Sequence, residues 1–364
     1  MGIRFWPFVV EDVHVRKRPT ETSAAPMMQP ALERTLIPKD AAASLPLRIL
    51  RNLALQDWIV AIYLTVLALA IALGNGGNRE SCYRMVAFDA AILIVNIVLV
   101  RGELVKGVLG SLLYRLCAFL PVFLSYFQLR WILPTVTTRS LDAQIYAFDM
   151  RVFGYEPSVA WDRFVNPTTT EWFAFFYFGY FFILMLHVLP FIFGAGNTKL
   201  LRHFALGIFM QFCITHLLYM AVPGWGPYHE LKFDHELTGG TFWGWVVSSV
   251  HAGGALKDIF PSLHTGAPTF FAVFAFLHRK EKPFKYYWLP LAFCVSQIIC
   301  ATMFLRWHYL VDIVAGFTLG TVNAFASRAL VAWEANRREE TGATPVFGGA
   351  PVAGLVAFVR NLSR

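Results

Sequence analysis

Two short segments carry residues whose types and spacing suit a chemical reaction. Residues 259–266 read IFPSLHTG and predict a helix start with Pro261 in its first turn, where a serine and a histidine lie beside free backbone N–H donors. Such a place suits a phosphate, and a capped helix start with an interfacial histidine fits it equally well. Residues 305–316 read LRWHYLVDIVAG, with His308 four residues before Asp312. On a helix the two share one face, so the carboxylate can orient the imidazole.

The His308/Asp312 spacing is weak evidence alone, because chance produces it readily in a chain with ten histidines. Combined with His264 of the first segment, it predicts a His/His/Asp site. Three chemistries use such a set: metal binding, a transport relay, or phosphoryl transfer with one histidine attacking phosphorus and the other protonating the leaving oxygen. A metal is disfavoured because no H-E-x-x-H spacing occurs. Transport needs deeper ionisable groups, for which the candidates are Asp89 with Asn96, His187 and His216, and Asp89 is predicted near the outer end of its span.

The amino-acid composition indicates whether water or a lipid bilayer surrounds these segments. Of 364 residues, 57% are hydrophobic, 16% are aromatic and 15% are charged, whereas an ordinary soluble chain has about 25% charged residues. The protein is therefore expected to be an integral membrane protein. Five cysteines, an odd number, argue against a secreted disulfide scaffold. The net charge of +8 is interpreted as an orientation signal, and no nucleic-acid partner is expected.

Apolar runs predict an all-α polytopic membrane protein, since a membrane helix needs about 20 mainly apolar residues. Eight spans are predicted, at residues 58–73, 85–100, 112–133, 172–193, 204–222, 261–277, 286–305 and 309–331. Between the third and fourth spans, charged and apolar residues alternate. That stretch predicts a helix lying in the membrane interface, followed by a turn at residues 154–157.

The spans divide the chain into four parts. These are a cytoplasmic N-terminal segment (1–56), three additional transmembrane helices (57–133), a catalytic membrane core with the interfacial helix (134–331) and a cytoplasmic tail (332–364). With both termini in the cytoplasm, 22 of the 31 lysines and arginines fall on the inner side, as the positive-inside rule requires. Both histidine segments then lie on the extracytoplasmic face. A bacterial inner membrane suits this bias, and an endomembrane with a lumenal site satisfies the same rule.

The two histidine segments resemble those of the type 2 phosphatidic acid phosphatase superfamily. FPSLH at 260–264 and TMFLRWHYLVDIVAG at 302–316 are most similar to the branch that contains the fungal inositol phosphorylceramide synthases. Two weaker similarities to that branch are VPGWGPY at 222–228 and DMRVFGYEP at 149–157. The resemblance covers residues 140–330 approximately.

The resemblance implies a fold with a six-helix core and a metal-independent reaction. His308 would attack the substrate phosphorus and form a phosphohistidine, with Asp312 orienting it. His264 would protonate the departing lipid alkoxide and then deprotonate the acceptor hydroxyl. Neither a metal nor another cofactor is implied.

Two departures from the phosphatase branch bear on the substrate. No K-x6-R-P segment occurs, and Thr302 stands where that branch has an arginine six residues before the second histidine. The departures favour transfer of a phosphoryl-headgroup, such as phosphoinositol, from a phospholipid donor to a lipid alcohol acceptor such as ceramide. Hydrolysis of a lipid phosphate or pyrophosphate, and non-catalytic lipid binding or transport, are the alternatives. The candidates for holding the phosphate or headgroup are Ser262, Arg306, Gly226 and Tyr228.

Overall fold

The structure is a computed structural model that describes residues 44–194, 196, 198–351, 353 and 354. Residues 1–43 of the predicted N-terminal segment and 355–364 of the predicted tail lie outside the described residues. The described part contains thirteen α-helices and no strand: α1 (Leu45–Asn52), α2 (Leu55–Leu73), α3 (Arg79–Asn96), α4 (Gly107–Val136), α5 (Asp142–Val152), α6 (Pro157–Ala160), α7 (Pro167–Leu189), α8 (Lys199–Ala221), α9 (Pro227–Glu230), α10 (Thr241–Gly253), α11 (Leu263–Leu277), α12 (Phe284–Phe304) and α13 (Leu310–Thr341). Short π-helical segments continue α3 and α7, at Ile97–Arg101 and Pro190–Gly194, and a 3-10 turn spans Asp162–Phe164.

Seven of the described helices are long and apolar enough to cross a membrane, namely α2, α3, α4, α7, α8, α12 and α13. The eighth predicted span corresponds to α11, which has 15 apolar-rich residues. At 1.5 Å per residue it is about 22 Å long, shorter than the hydrocarbon core of about 30 Å. It packs against α7, α8, α12 and α13, so its ends are covered by protein. The predicted all-α, polytopic membrane fold is confirmed.

α11 and α13 form a close helix pair, and both begin beside the predicted site. A Cβ atom on Gly320 would lie 2.3 Å from the Gly266 carbonyl oxygen, and one on Gly316 would lie 2.5 Å from the Ser262 carbonyl oxygen. Glycines four apart let two membrane helices approach to backbone contact. In addition, the Ser262 N–H donates to the Asp312 carbonyl at 3.0 Å. The starts of the two helices are therefore fixed relative to each other.

Two buried histidines join neighbouring helices. Nδ1 of His216 on α8 lies 3.3 Å from the Tyr63 hydroxyl on α2, which donates to Ser125 Oγ on α4 at 2.8 Å. Nε2 of His187 on α7 lies 3.4 Å from the Tyr287 hydroxyl on α12. Such interhelical hydrogen bonds are common in membrane bundles, and they account for both histidines without a transport relay.

The prediction that Asp89 lies near the outer end of its span is wrong. α3 begins at Arg79, six residues before the predicted start, because its polar first turns are helical and carry an Arg84–Glu80 ion pair of 3.0 Å. Asp89 is therefore in the middle of α3, and its side chain is fully buried.

Polar contacts at the end of the bundle opposite the site join α2, α3, α4 and the segment after α13. Asp57 accepts from Arg101 Nε at 2.7 Å and from the Tyr114 hydroxyl at 2.6 Å. Arg101 Nη1 also donates to the Val346 carbonyl at 3.0 Å. α13 itself runs to Thr341, ten residues beyond the predicted end of the eighth span, so the predicted tail begins inside a helix.

Replacing Gly320 by leucine is expected to force α11 and α13 apart. Overpacking of a tight contact costs about 1–3 kcal/mol, so we expect a lower thermal midpoint in detergent and reduced activity. Gly179→Leu on α7 is the matched control, since nothing lies within 4 Å of a Cβ atom there. A Gly320→Leu protein as stable and as active as the wild type would contradict this packing.

Candidate active site

The start of α11 places His264 at the site end of the bundle. Ser262 is the N-cap, and its hydroxyl accepts from the Thr265 N–H at 3.2 Å. The prediction of Pro261 in the first helical turn is wrong, because the serine caps the helix and the proline precedes that cap. His264 is the second helical residue, so its side chain projects from the N-terminal turn.

His264 is held by aromatic rings of α7. Its ring stacks on Tyr177 with centroids 4.4 Å apart and an angle of 12° between the planes, and the Tyr180 ring also lies 4.4 Å away. Nε2 of His264 is buried and has no hydrogen-bond partner among the described residues. Stacking therefore fixes the ring while leaving this nitrogen available to a substrate.

His308 lies in the turn between α12 and α13 and not on a helix. The prediction that His308 and Asp312 share a helical face is wrong, because α13 begins at Leu310 with Tyr309 as its N-cap. Asp312 instead reaches back across the first turn: its Oδ2 accepts from the Tyr309 N–H at 2.9 Å and lies 3.5 Å from His308 Nδ1. Both side chains are buried, with 4% of His308 and none of Asp312 exposed.

Both histidines line one cavity of about 770 Å³ between α4, α7, α8 and α10. Its wall consists mostly of aromatic and aliphatic side chains. Among the described residues that line it, Asp258 is the single carboxylate, and no lysine or arginine occurs. In the part of the chain that the structure describes, no group of three or more His, Cys, Asp or Glu is placed to hold a metal ion. The cavity thus combines two imidazoles with an apolar wall that carries no fixed positive charge.

Burial changes the proton affinity of two groups in this cavity. It lowers the pKa of His308 to about 4, although the Asp258 carboxylate and the Ile259 backbone favour the charged ring. His308 is therefore neutral at pH 7, the state in which an imidazole can act as a nucleophile. Burial also raises the pKa of Asp258, whose Oδ2 accepts from the Tyr126 hydroxyl at 3.5 Å. Sequence reasoning missed Asp258, for which the one signal is a lone acid six residues before His264.

Two carboxylates of the segment between α4 and α7 hold the loops around the cavity. Asp142 accepts from the Gly226 N–H at 2.8 Å and from the Trp225 N–H at 2.9 Å. Asp149 accepts from the Val311 N–H at 3.1 Å, in the first turn of α13. α5 lies where an interfacial helix is predicted, and it supplies both acceptors. Its position in the membrane interface stays a prediction.

A third carboxylate of that segment, Asp162, engages Arg306. Arg306 Nη2 lies 2.6 Å from Asp162 Oδ1 and 2.5 Å from the His235 carbonyl, and its guanidinium covers the Phe233 ring at 3.9 Å. Asp162 Oδ2 also accepts from the Asp234 N–H at 2.9 Å. Arg306 lies outside the cavity lining, so its present contacts fasten the 233–235 loop to the turn before His308. Its role in binding phosphate stays a prediction.

The other predicted binding residues lie close to the same turn. Gly226 has a φ of +101°, and a Cβ atom there would lie 2.4 Å from the Trp307 carbonyl oxygen, so glycine permits this contact. The Tyr228 N–H donates to the Arg306 carbonyl at 2.9 Å, and its ring lines the cavity. The Ser262 hydroxyl is used as the helix cap. Their roles in holding phosphate also stay predictions.

Comparison with known protein families shows which family this chain belongs to. A family model described as the PAP2 superfamily matches residues 143–326, which is half of the chain. The chain belongs to the PAP2 superfamily. The match runs from α5 into α13 and includes both histidine segments, but α2, α3 and α4 lie outside it. Membership supports a lipid phosphatase or phosphotransferase type of activity in general. No curated protein and no solved structure matches the chain significantly.

Glu156 lies beside Asp149 in the PAP2 region and is 3% exposed. Its Oε1 accepts from the Ser158 N–H at 3.1 Å and from the Ser158 hydroxyl at 2.8 Å. Burial raises the pKa of Glu156 to about 7, and the nearby Asp149 and Asp312 act in the same direction. In the folded protein Glu156 therefore keeps its proton up to about pH 7. In the unfolded chain Glu156 loses this proton near its ordinary pKa of 4.5.

Glu156→Gln is expected to alter the pH dependence of stability. Because the folded pKa is raised, the stability that protonated Glu156 contributes is complete below about pH 4.5 and is lost as the pH rises through 7. Glutamine stays neutral, so the variant should gain thermal stability over the wild type across that interval. Thermal midpoints in detergent across this interval test it, with the exposed Glu340→Gln as control. A difference that does not vary with pH would contradict the assignment.

Proposed function

We propose that this protein transfers a phosphoryl-headgroup, such as phosphoinositol, from a phospholipid to the hydroxyl of a lipid alcohol such as ceramide. The proposal assigns it to the inositol phosphorylceramide synthase-like branch of the PAP2 superfamily. The observation that carries it is the cavity shared by His264 and His308. That cavity is apolar and, over its described lining, has no lysine or arginine.

The charge of the cavity favours a phosphodiester donor over a phosphomonoester. A phosphomonoester is largely dianionic at pH 7, and burying it beside Asp258 without a cation is costly. The cations of flanking segments have other partners: Lys257 Nζ donates to the Thr138 carbonyl at 3.1 Å, and Arg306 pairs with Asp162. A phospholipid diester carries one negative charge, which two imidazoles and neutral donors can accommodate.

In the proposed first step, Nε2 of His308 attacks the phosphorus of the donor. The bond between phosphorus and the glycerol oxygen breaks, and its electron pair leaves with that oxygen. His264, protonated in the complex with the anionic donor, gives its proton to the departing oxygen, so the products are a diacylglycerol and a headgroup-phosphohistidine. Asp312, near Nδ1, stabilises the positive charge that His308 acquires.

In the second step, the acceptor hydroxyl gives its proton to neutral His264 while its oxygen bonds to phosphorus. The phosphorus–nitrogen bond breaks, and its electron pair returns to His308. His264 is then protonated for the next cycle, and the reaction consumes no cofactor. The same cycle with water as the acceptor would be hydrolysis.

The cavity wall supports a lipid hydroxyl as the acceptor. An apolar lining disfavours ordered water near the intermediate, whereas a lipid alcohol buries its own apolar surface there. Neutral hydroxyl donors for the phosphoryl oxygens are available from four tyrosines of the lining: Tyr177, Tyr180, Tyr219 and Tyr228. The hydroxyl of a fifth, Tyr126, already donates to Asp258. Neutral donors aimed at developing charge are a common means of stabilising transition states.

We further propose that both termini are cytoplasmic and that the site faces the extracytoplasmic side of a bacterial inner membrane. The start of α11, the α12–α13 turn and the α5–α6 segment all lie at one end of the bundle. The basic bias, 22 of 31 residues on the other side, supports this orientation through the positive-inside rule.

Incubation of purified protein with headgroup-labelled phospholipid and a lipid alcohol tests the proposal. We expect a new labelled lipid that requires the alcohol. His308→Ala should abolish it, and His264→Ala should lower the rate by about 10²–10⁴-fold, as loss of a general acid does. His251→Ala, at an exposed histidine of α10, is the control. Release of free headgroup-phosphate with no new lipid would identify a hydrolase and overturn the transferase.

A further inference from the structure

α4, which the superfamily match leaves out, also contributes to the cavity. We propose that α4, with α7 and α10, forms a lateral cleft that holds the hydrocarbon chain of the donor lipid, and that the depth of this cleft selects chain length. The inference rests on the proposed function, because it assigns a place to a second part of the same substrate.

The cavity extends from the histidines deep into the bundle along α7. Its lining includes Tyr177, which stacks on His264, and continues along the same helix to Ile192. These two residues are 15 positions apart, or about 22 Å at 1.5 Å per residue. That length exceeds half of a hydrocarbon core of about 30 Å, so an extended lipid chain attached to a phosphate at His308 would lie along α7.

α4 forms the wall that faces α7. Its residues Phe119, Phe123, Tyr126 and Phe127 line the cavity, and all four precede the matched residues 143–326. The end of α10 contributes Ser249, Val250 and 252–253 on the side nearer the histidines. α4 therefore shapes the substrate space, although the reacting groups lie in the matched region.

The cleft is open sideways and closed at its deep end. Four of its lining side chains are 41–53% exposed within membrane-spanning helices: Phe123, Phe127, Met185 and Leu189. These exposed side chains show that the cleft is open between α4 and α7, toward the surrounding hydrocarbon. At the other end α4 contacts the π-helical continuation of α7, and Arg115 Nη1 donates to the Phe191 carbonyl at 2.6 Å.

The chemistry of the deep part fits a hydrocarbon chain. Phe119, Leu184, Val188, Ile192 and Phe212 line it, and none of these side chains offers a hydrogen bond to water or to a headgroup. A chain that enters from the bilayer stays in an apolar medium throughout. Its polar end then meets His264 and His308, where the lining becomes polar.

The decisive variant is Leu184→Trp, which fills the cleft about midway between Tyr177 and Ile192. Two donors with one headgroup, one short-chained and one long-chained, are compared. We expect kcat/KM for the long-chain donor to fall at least about tenfold, while that for the short-chain donor stays within about twofold. Phe182→Trp is the matched control on the same helix, since Phe182 is 58% exposed and outside the lining.

A pair of α4 variants tests the contribution of this helix. Phe123→Ala removes part of the wall and should raise KM for the long-chain donor severalfold with kcat unchanged. Leu120→Ala, exposed on the same helix but outside the lining, should leave both constants unchanged. Equal effects of the two substitutions would overturn the role of α4.

Binding of labelled long-chain phospholipid to purified protein in detergent separates this inference from the proposed function. If wild type and Phe182→Trp bind the lipid while Leu184→Trp binds at least tenfold more weakly, the cleft is supported even without turnover. Absence of transfer by every form would overturn the proposed function alone. Equal binding by Leu184→Trp and wild type, or equal loss of turnover with both donors, would overturn the cleft.

Discussion

Backbone N–H groups in the loops around the cavity need hydrogen-bond acceptors, and the rest of the site depends on which side chains supply them. An irregular loop at the end of a membrane bundle is stable only when its polar groups are paired. Asp142, Asp149 and Asp162 supply acceptors to the 225–226 loop, to the first turn of α13 and to the 234–235 loop. All three come from the segment between α4 and α7. The position of His308 thus depends on carboxylates that take no part in the proposed chemistry.

Two further features determine the geometry and charge of the site: the close packing of α11 against α13 and the burial of His308. The glycine contacts hold the two helix starts together, and the apolar surroundings keep His308 neutral at pH 7. In the proposed reaction His308 is a neutral nucleophile beside a general acid, which suits a substrate of low charge. The absence of lysine and arginine from the described lining supports the proposal of a singly charged diester whose affinity comes largely from its hydrocarbon.

The sequence predicted the membrane helices well, because long apolar runs have few alternatives to a helix in hydrocarbon. It also found both histidine segments, which belong to the PAP2 match. It misplaced features that tertiary contacts decide. His308 lies off the helix because Tyr309 caps α13. Arg306 pairs with Asp162, 144 residues away, and α4 reaches a cavity centred on the core. A local pattern of residue types does not show contacts between residues that lie so far apart in the sequence.

In the proposed reaction, His308 carries the phosphoryl-headgroup between donor and acceptor. Purified protein mixed with headgroup-labelled phospholipid, without acceptor, and quenched in base preserves an acid-labile phosphorus–nitrogen bond for peptide mass spectrometry. We expect the headgroup-phosphate mass on His308, its disappearance when a lipid alcohol is added, and its absence from His308→Ala. Modification of another residue, or transfer by His308→Ala at the wild-type rate, would contradict the proposed reaction.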